Sequence, residues 1–310
     1  MKSASLADRL QYAAMRTAIA GLGALSWERA AEVGARLGSL GYAPFKIRRD
    51  VVERQIAAAF PKWPRGEVVR VARAAYQHLG RVSVETALLS RLPRERVLEL
   101  VEGVDGWDVL ERALARGRGA ILLTAHFGNW ELAGAYLVAR GLTLDAVARK
   151  MNNPLFDSYI TRTRERLGIA IVYDKDAVRR TAKAVQEGRA VAFLADQGAL
   201  NMASTWVPFF GRLAKTPRGP AVLALRWDVP VIFGVAMRLP DGRYRLGIEE
   251  IPFDKSDDRD ADVDRIVARY TASLERWVRR EPEQYFWHHR RWKHQQPGTP
   301  PELGDPSVAP

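Results

Sequence analysis

Cysteine is absent from all 310 residues. That absence removes disulfides, thiolate metal sites and every cysteine-nucleophile mechanism, and it fits a reducing compartment. A Gly-x-Ser-x-Gly elbow is missing too, which argues against the serine hydrolases built on that turn. No complete dinucleotide fingerprint occurs, since Gly21-Leu-Gly23 has no third glycine and sits in a helical region. Gly211-Arg-Leu-Ala-Lys215-Thr216 lacks the glycine that a phosphate loop needs before its lysine. The histidines are His78, His126, His288, His289 and His294; none pair at zincin spacing, so no catalytic metal is expected. No run of 18 or more apolar residues is present, so a regular membrane span is not expected. Nor does the apolar amino-terminal segment carry a convincing secretory cleavage site. Acidic residues are in short supply: 36 Asp and Glu face 48 Lys and Arg, for a formal charge of +12. Such a surface seeks an anionic partner: nucleic acid, an acidic protein or an anionic membrane.

What remains is a folded globular chain, 47% hydrophobic and 27% charged, long enough for one large α/β domain or two smaller ones. The first hundred residues read as helical, with helices over 51–60 and 65–89 closed by Pro61 and Pro93. Beyond Gly119 the pattern alternates. Strands are expected over 120–124, 143–147, 170–172, 190–195, 231–238 and 244–248, and helices over 130–140, 154–167, 176–187, 218–226 and 260–280. That order predicts an α/β fold, a layered mixed sheet flanked by helices, with a helical amino-terminal region. Pro240-Asp-Gly-Arg243 reads as a hairpin turn, so the last strands should be antiparallel. Three parts are expected: a membrane-interface helical segment over 1–45, an α/β domain over 46–296, and a disordered tail over 297–310. In the first part, Ala13, Ala14, Met15, Ile19, Leu22, Leu25 and Trp27 lead into Lys46-Ile-Arg-Arg49, a pattern suited to lying among lipid headgroups or to capping the domain.

The most informative stretch is Ala120-Ile-Leu-Leu-Thr-Ala-His126-Phe-Gly-Asn-Trp-Glu131. Its apolar run is a buried strand, Phe127-Gly128 turns the chain, and Asn129 caps the next helix. His126 therefore stands at the carboxyl end of a strand, where open α/β sheets place their ligands. A carboxylate near such a histidine fixes its tautomer and makes it a better general base. Two further loops follow strands. Arg149-Lys-Met-Asn-Asn153 offers cations and amides to phosphates or hydroxyls, and Asp196-Gln197 offers a carboxylate and an amide. Pro208-Phe-Phe210-Gly211, with Arg218 near a helix start, would line an acyl groove beside an anion site, unless the two phenylalanines simply fill the core. Tyr285-Phe-Trp-His-His-Arg-Arg-Trp-Lys293 mixes aromatics and cations, as nucleic-acid surfaces, lipid interfaces and core-packing segments all do.

Taken together, these residues resemble the bacterial lipid A biosynthesis acyltransferases, within the lysophospholipid acyltransferase-like group. The resemblance runs from about Ile47 to Lys293. It rests on His126-Phe-Gly-Asn-Trp-Glu131 as a histidine-x4-acid motif, Arg149 with Asn153-Pro154, Ala195-Asp-Gln197, Val207-Pro-Phe-Phe-Gly211 and the Glu283 to Lys293 block. The block Arg81 to Thr86, with Glu85, fits as well. The resemblance implies a glycerol-3-phosphate acyltransferase-like fold and an enzyme that needs no cofactor beyond an acyl thioester co-substrate. It implies His126 as general base, Glu131 as its orienting carboxylate, and substrate-binding roles for Arg149, Asn153, Asp196, Gln197, Phe210, Gly211 and Arg218. The implied partners are acyl carrier protein or acyl-coenzyme A as donor, a phosphorylated glycolipid as acceptor and the anionic cytoplasmic face of an inner membrane, with no nucleic acid. Oxyanion stabilisation is expected from backbone N–H groups at the Asn129 helix start. Phosphatidylinositol mannosides and lysophospholipids are alternative acceptors; a thioesterase and a non-catalytic basic membrane- or nucleic-acid-binding module are alternatives of other kinds.

Overall fold

The computed structural model describes residues 4–173, 176–198 and 203–308. Five helices come first: α1 (Leu6–Leu22), α2 (Trp27–Tyr42), α3 (Arg49–Ala59), α4 (Arg65–Leu88) and α5 (Arg94–Glu99). Ser5 and Asp8 close α1 with a reciprocal capping box, and the Ser26 hydroxyl accepts from Arg29 N at the start of α2. Pro64 and Pro93 stand at the caps of α4 and α5, where a missing N–H leaves no helical bond unmade. Helices α2 and α4 touch backbone to backbone. A Cβ on Gly38 would sit 2.0 Å from the Tyr76 carbonyl oxygen, and one on Gly80 would sit 2.0 Å from that of Gly34.

The remainder alternates: β1 (Val101–Asp105), α6 (Trp107–Ala115), β2 (Ala120–Thr124), α7 (Trp130–Ala139), β3 (Leu144–Ala148), α8 (Pro154–Arg166), β4 (Ile169–Tyr173), α9 (Ala177–Gln186) and β5 (Ala190–Leu194). A hairpin, β6 (Ser204–Phe209) and β7 (Arg212–Pro217), is followed by α10 (Gly219–Trp227), β8 (Val231–Arg238), β9 (Tyr244–Glu250) and α11 (Arg259–Arg280). Seven strands form one mixed sheet in the order β1-β9-β8-β2-β5-β3-β4. All neighbours are parallel except β8 and β9, the antiparallel pair the 240–243 turn predicts. Central β2 buries Ala120, Ile121, Leu122 and Leu123, because helices cover both faces of a parallel strand.

Strand β1, helix α6 and the β6–β7 hairpin were not foreseen; the hairpin carries Pro208, Lys215 and Pro217, which weaken any strand pattern. The tail expected over 297–310 makes local contacts through residue 308. Pro301–Leu303 forms a 3-10 turn, Arg290 donates to Asp305 and Ser307, and Arg212 donates to the Gly304 carbonyl at 3.1 Å. The half-buried ion pair of Arg290 and Asp305 gives this proline- and glycine-rich stretch an anchor that composition alone does not reveal.

Candidate active site

Strand register assembles the centre. β2 and β5 are parallel neighbours with Thr124 opposite Leu194, so the residues two steps beyond, His126 and Asp196, emerge side by side. His126 Nδ1 lies 2.8 Å from Asp196 Oδ1, and the Gln197 amide is 3.1 Å from the same nitrogen. With Nδ1–H donated to the carboxylate, Nε2 keeps its lone pair, and it has no protein partner among the described residues. Burial opposes ionisation of Asp196, but the facing His126, with Arg291 and His289 behind it, outweighs that and holds the carboxyl below its usual range.

The turn that carries His126 is tightly held. Phe286 N donates to the His126 carbonyl at 2.9 Å, Gly128 N to the Gln284 carbonyl at 3.0 Å, and Asn129 N to the Ala236 carbonyl at 2.9 Å. Gly128 has φ +58°, and a Cβ there would lie 1.8 Å from the Ala236 oxygen. Asn129 caps α7 through Leu132 N and donates to buried Glu85, which also accepts from Arg238 and Tyr244. Burial raises the Glu85 pKa, opposed mainly by the Arg238 cation. On the far side, His78 Nε2 is 3.1 Å from the Gly128 carbonyl. The N–H groups of Phe127, Gly128 and Asn129 are thus all engaged, so oxyanion donors are not free at that point of the turn.

A cleft of about 520 Å³ opens along the carboxyl ends of β2, β3 and β5. His126, Trp130, Glu131, Arg149, Met151, Arg164 and Gln197 line it. It shares Thr124, Trp130, Gly134, Leu144 and Ala192 with an almost wholly apolar cavity of about 80 Å³ that runs between α7 and the sheet toward Leu110 and Ile248.

The predicted site residues divide accordingly. His126, Glu131, Arg149 and Gln197 meet in the cleft wall, with Asp196 directly behind the imidazole. The carboxylate on His126 is Asp196, not Glu131. Glu131 points from the first turn of α7 to α8, where Arg164 grips it with Nη2 at 2.5 Å and Nε at 3.0 Å, and Trp130 Nε1 donates to it at 3.1 Å. Burial works against the Arg164 charge, and the Glu131 carboxylate more than offsets it. Asn153 is a helix cap: its Oδ1 accepts from Leu155 N and Phe156 N, and its Nδ2 reaches the Asp8 carbonyl of α1 at 3.3 Å. Phe210 packs on Phe60 and Trp287 and belongs to the core, and Gly211 turns the β6–β7 hairpin at an exposed position, so neither lines the cleft. Arg218 pairs with Asp260 at 2.8 Å on α11, while its neighbours Pro217 and Gly219 reach the cleft. Arg164 was missed. Its signal was periodic: Asp157, Ile160, Thr161 and Arg164 form one stripe of α8, and all four line the cleft.

Sequence comparison adds relatives to this geometry. Residues 5–294 match the profile of the family described as bacterial lipid A biosynthesis acyltransferase. The chain is 29% identical over 265 residues to the lipid A biosynthesis palmitoleoyltransferase of Escherichia coli K12, covering 84% of each protein. It is 29% identical to the lipid A biosynthesis lauroyltransferase of the same organism, covering 86% of each. A phosphatidylinositol mannoside acyltransferase of Mycobacterium tuberculosis H37Rv is 28% identical across 69% of this chain and 67% of its own length.

Proposed function

The chain belongs to the bacterial lipid A biosynthesis acyltransferase family and is an acyltransferase; from that premise we propose that it moves a fatty acyl chain from a thioester to a hydroxyl of a lipid A precursor or similar glycolipid, with His126 as general base. The observation that carries this reading is the His126 ring, held through Nδ1 by Asp196, in the wall of a cleft that continues into an apolar slot.

The chemistry needs no covalent enzyme intermediate, because a thioester is already activated. As the acceptor oxygen attacks the acyl carbonyl, its proton passes to His126 Nε2; the C–S bond then breaks and the imidazolium returns that proton to the departing thiolate. A base of this kind contributes ~10²–10⁴-fold in rate. Asp196 keeps Nδ1 protonated and stabilises the imidazolium. The apolar slot suits a hydrocarbon chain, and Arg149 supplies positive charge at the cleft for a phosphorylated acceptor. The excess of 48 cationic over 36 acidic residues suits an acidic carrier protein as donor.

Access to lipid is supported by α1. Leu6 and Leu10 are 74% and 63% exposed beside Arg9 and Arg16, an arrangement fit for the anionic headgroup region. No helix among the described residues is long and apolar enough to cross a membrane. The Mycobacterium relative supports a phosphatidylinositol mannoside as the second acceptor to try.

The test is direct. The purified protein is given an acyl-carrier-protein thioester and anionic vesicles holding each acceptor in turn, and the lipids are weighed by mass spectrometry. One added acyl group on a glycolipid, lost in a folded His126→Ala variant, is the expected result. Transfer by His126→Ala at the normal rate, or release of free fatty acid alone, overturns the reading.

A further inference from the structure

The carboxyl-terminal block Tyr285 to Lys293 is buried at the back of the reaction centre, not displayed on the surface. Tyr285, Trp287, Trp292 and Arg291 are all below 5% exposed. A fully buried cation needs a reason. Arg291 Nη1 donates to the Lys215 carbonyl at 2.8 Å and Nη2 to Thr216 Oγ1 at 2.6 Å, both on β7. The Lys215 carbonyl is also what Gly198 packs against: a Cβ on Gly198 would stand 2.4 Å from that oxygen. Gly198 ends the short Asp196-Gln197-Gly198 loop, whose first side chain holds the His126 ring and whose second lies against it.

Arg291 is itself clasped from the amino-terminal helices. Gln55 of α3, fully buried, donates through Nε2 to the Trp287 carbonyl at 2.6 Å and the His289 carbonyl at 2.7 Å, and its Oε1 accepts from Arg291 N at 2.7 Å. An unbroken line of contacts therefore runs from Gln55 through Arg291 and the Lys215 carbonyl to the loop of Asp196. Truncating any one link leaves buried polar groups without partners, so the line is rigid as a unit.

We propose that Arg291, clasped by Gln55, is a positioning residue for the acyl transfer: it fixes the Asp196–Gly198 loop from behind and so fixes the tautomer and aim of His126. The inference rests on the reading of His126 as base. Asp196 faces His126 at the cleft, His289 and Arg291 on the carboxyl-terminal block, and the phenols of Tyr270 and Tyr285. Arg291 is the permanent cation of that set. Without it, Asp196 would take up its proton at a higher pH.

Four variants are compared for kcat, for KM of donor and acceptor, for the pH dependence of kcat/KM, and for melting temperature: Arg291→Met, Arg291→Lys, Thr216→Val and His126→Ala. The expected result for Arg291→Met is a kcat lower by about 10²-fold, the cost of a small misplacement at a reacting centre. Both KM values stay unchanged, and the acid limb of the profile moves to higher pH. Arg291→Lys restores the acid limb because it restores the charge. Thr216→Val, which removes one Arg291 contact and keeps side-chain shape, shows a smaller fall in kcat and decides the matter should Arg291→Met not fold. A lower melting temperature with kcat and acid limb of the wild type, in either Arg291→Met or Thr216→Val, overturns the positioning role. Activity in His126→Ala overturns the base reading beneath it, so the two failures are distinguishable.

Discussion

Two carboxylates near one histidine have different tasks here, and substitution separates them. Asp196 touches the imidazole, whereas Glu131 neutralises Arg164. Asp196→Asn removes the charge that stabilises the imidazolium and offers an amide donor that favours the other tautomer, and the expected loss is ~10²–10⁴-fold in kcat with little change in melting temperature. Glu131→Gln instead leaves a largely buried guanidinium unpaired, which costs about 3–5 kcal/mol of stability. Thermal melts alongside steady-state kinetics check both; equal effects of the two variants on stability would show that the division is wrong. At this scale the sequence was partly legible. His126 could be picked out because an apolar strand ends on it, and Asp196 because another does the same. Which acid meets the ring could not be read, because it depends on β2 and β5 being neighbours with Thr124 level with Leu194, a pairing across 70 residues.

Elements with an internal rhythm were legible, and those shaped by their neighbours were not. β2 and β8 fall on the expected bounds, and α7, α8 and α11 within a residue, since each has a buried stripe or run and a cap. β1 is a short edge strand of mixed polarity, Val101-Glu-Gly-Val-Asp105, and reads as loop until β9 is there to pair with it. The crossing of α2 and α4 is also tertiary, though its glycines were visible. Gly34 and Gly38 on one helix meet Gly80 and Tyr76 on the other. Gly80→Val should therefore push the helices apart at a cost of about 1–3 kcal/mol or more. A chemical denaturation midpoint equal to that of the unaltered protein would contradict so close a contact.

Across the whole molecule, burial of imidazoles sets an acid limit. Burial drives His78, His288 and His289 down to about 4, and both ring nitrogens of His288 lack a hydrogen-bond partner. An unfolded histidine titrates near 6.5. Each folded ring therefore stays neutral while the unfolded one charges, so the stability these groups contribute is complete above about 6.5 and drains away as pH falls toward 4. Melting temperatures recorded from pH 8 to pH 4 should drop steeply over that window; a flat profile would mean the rings are not sealed from water. The charge of +12 was legible from composition, but this limit was not, because exposure of a histidine is decided only when the helices and the last block close over it.

The backbone of His126 is tied to Phe286, and its turn to Gln284. During translation, β2 and its histidine leave the ribosome some 160 residues before those partners do. A nascent chain can thus form the strand that leads to His126 while the turn beyond it still lacks its partners. A copy released short of residue 286 would keep the strand but leave the turn beyond it without its tethers.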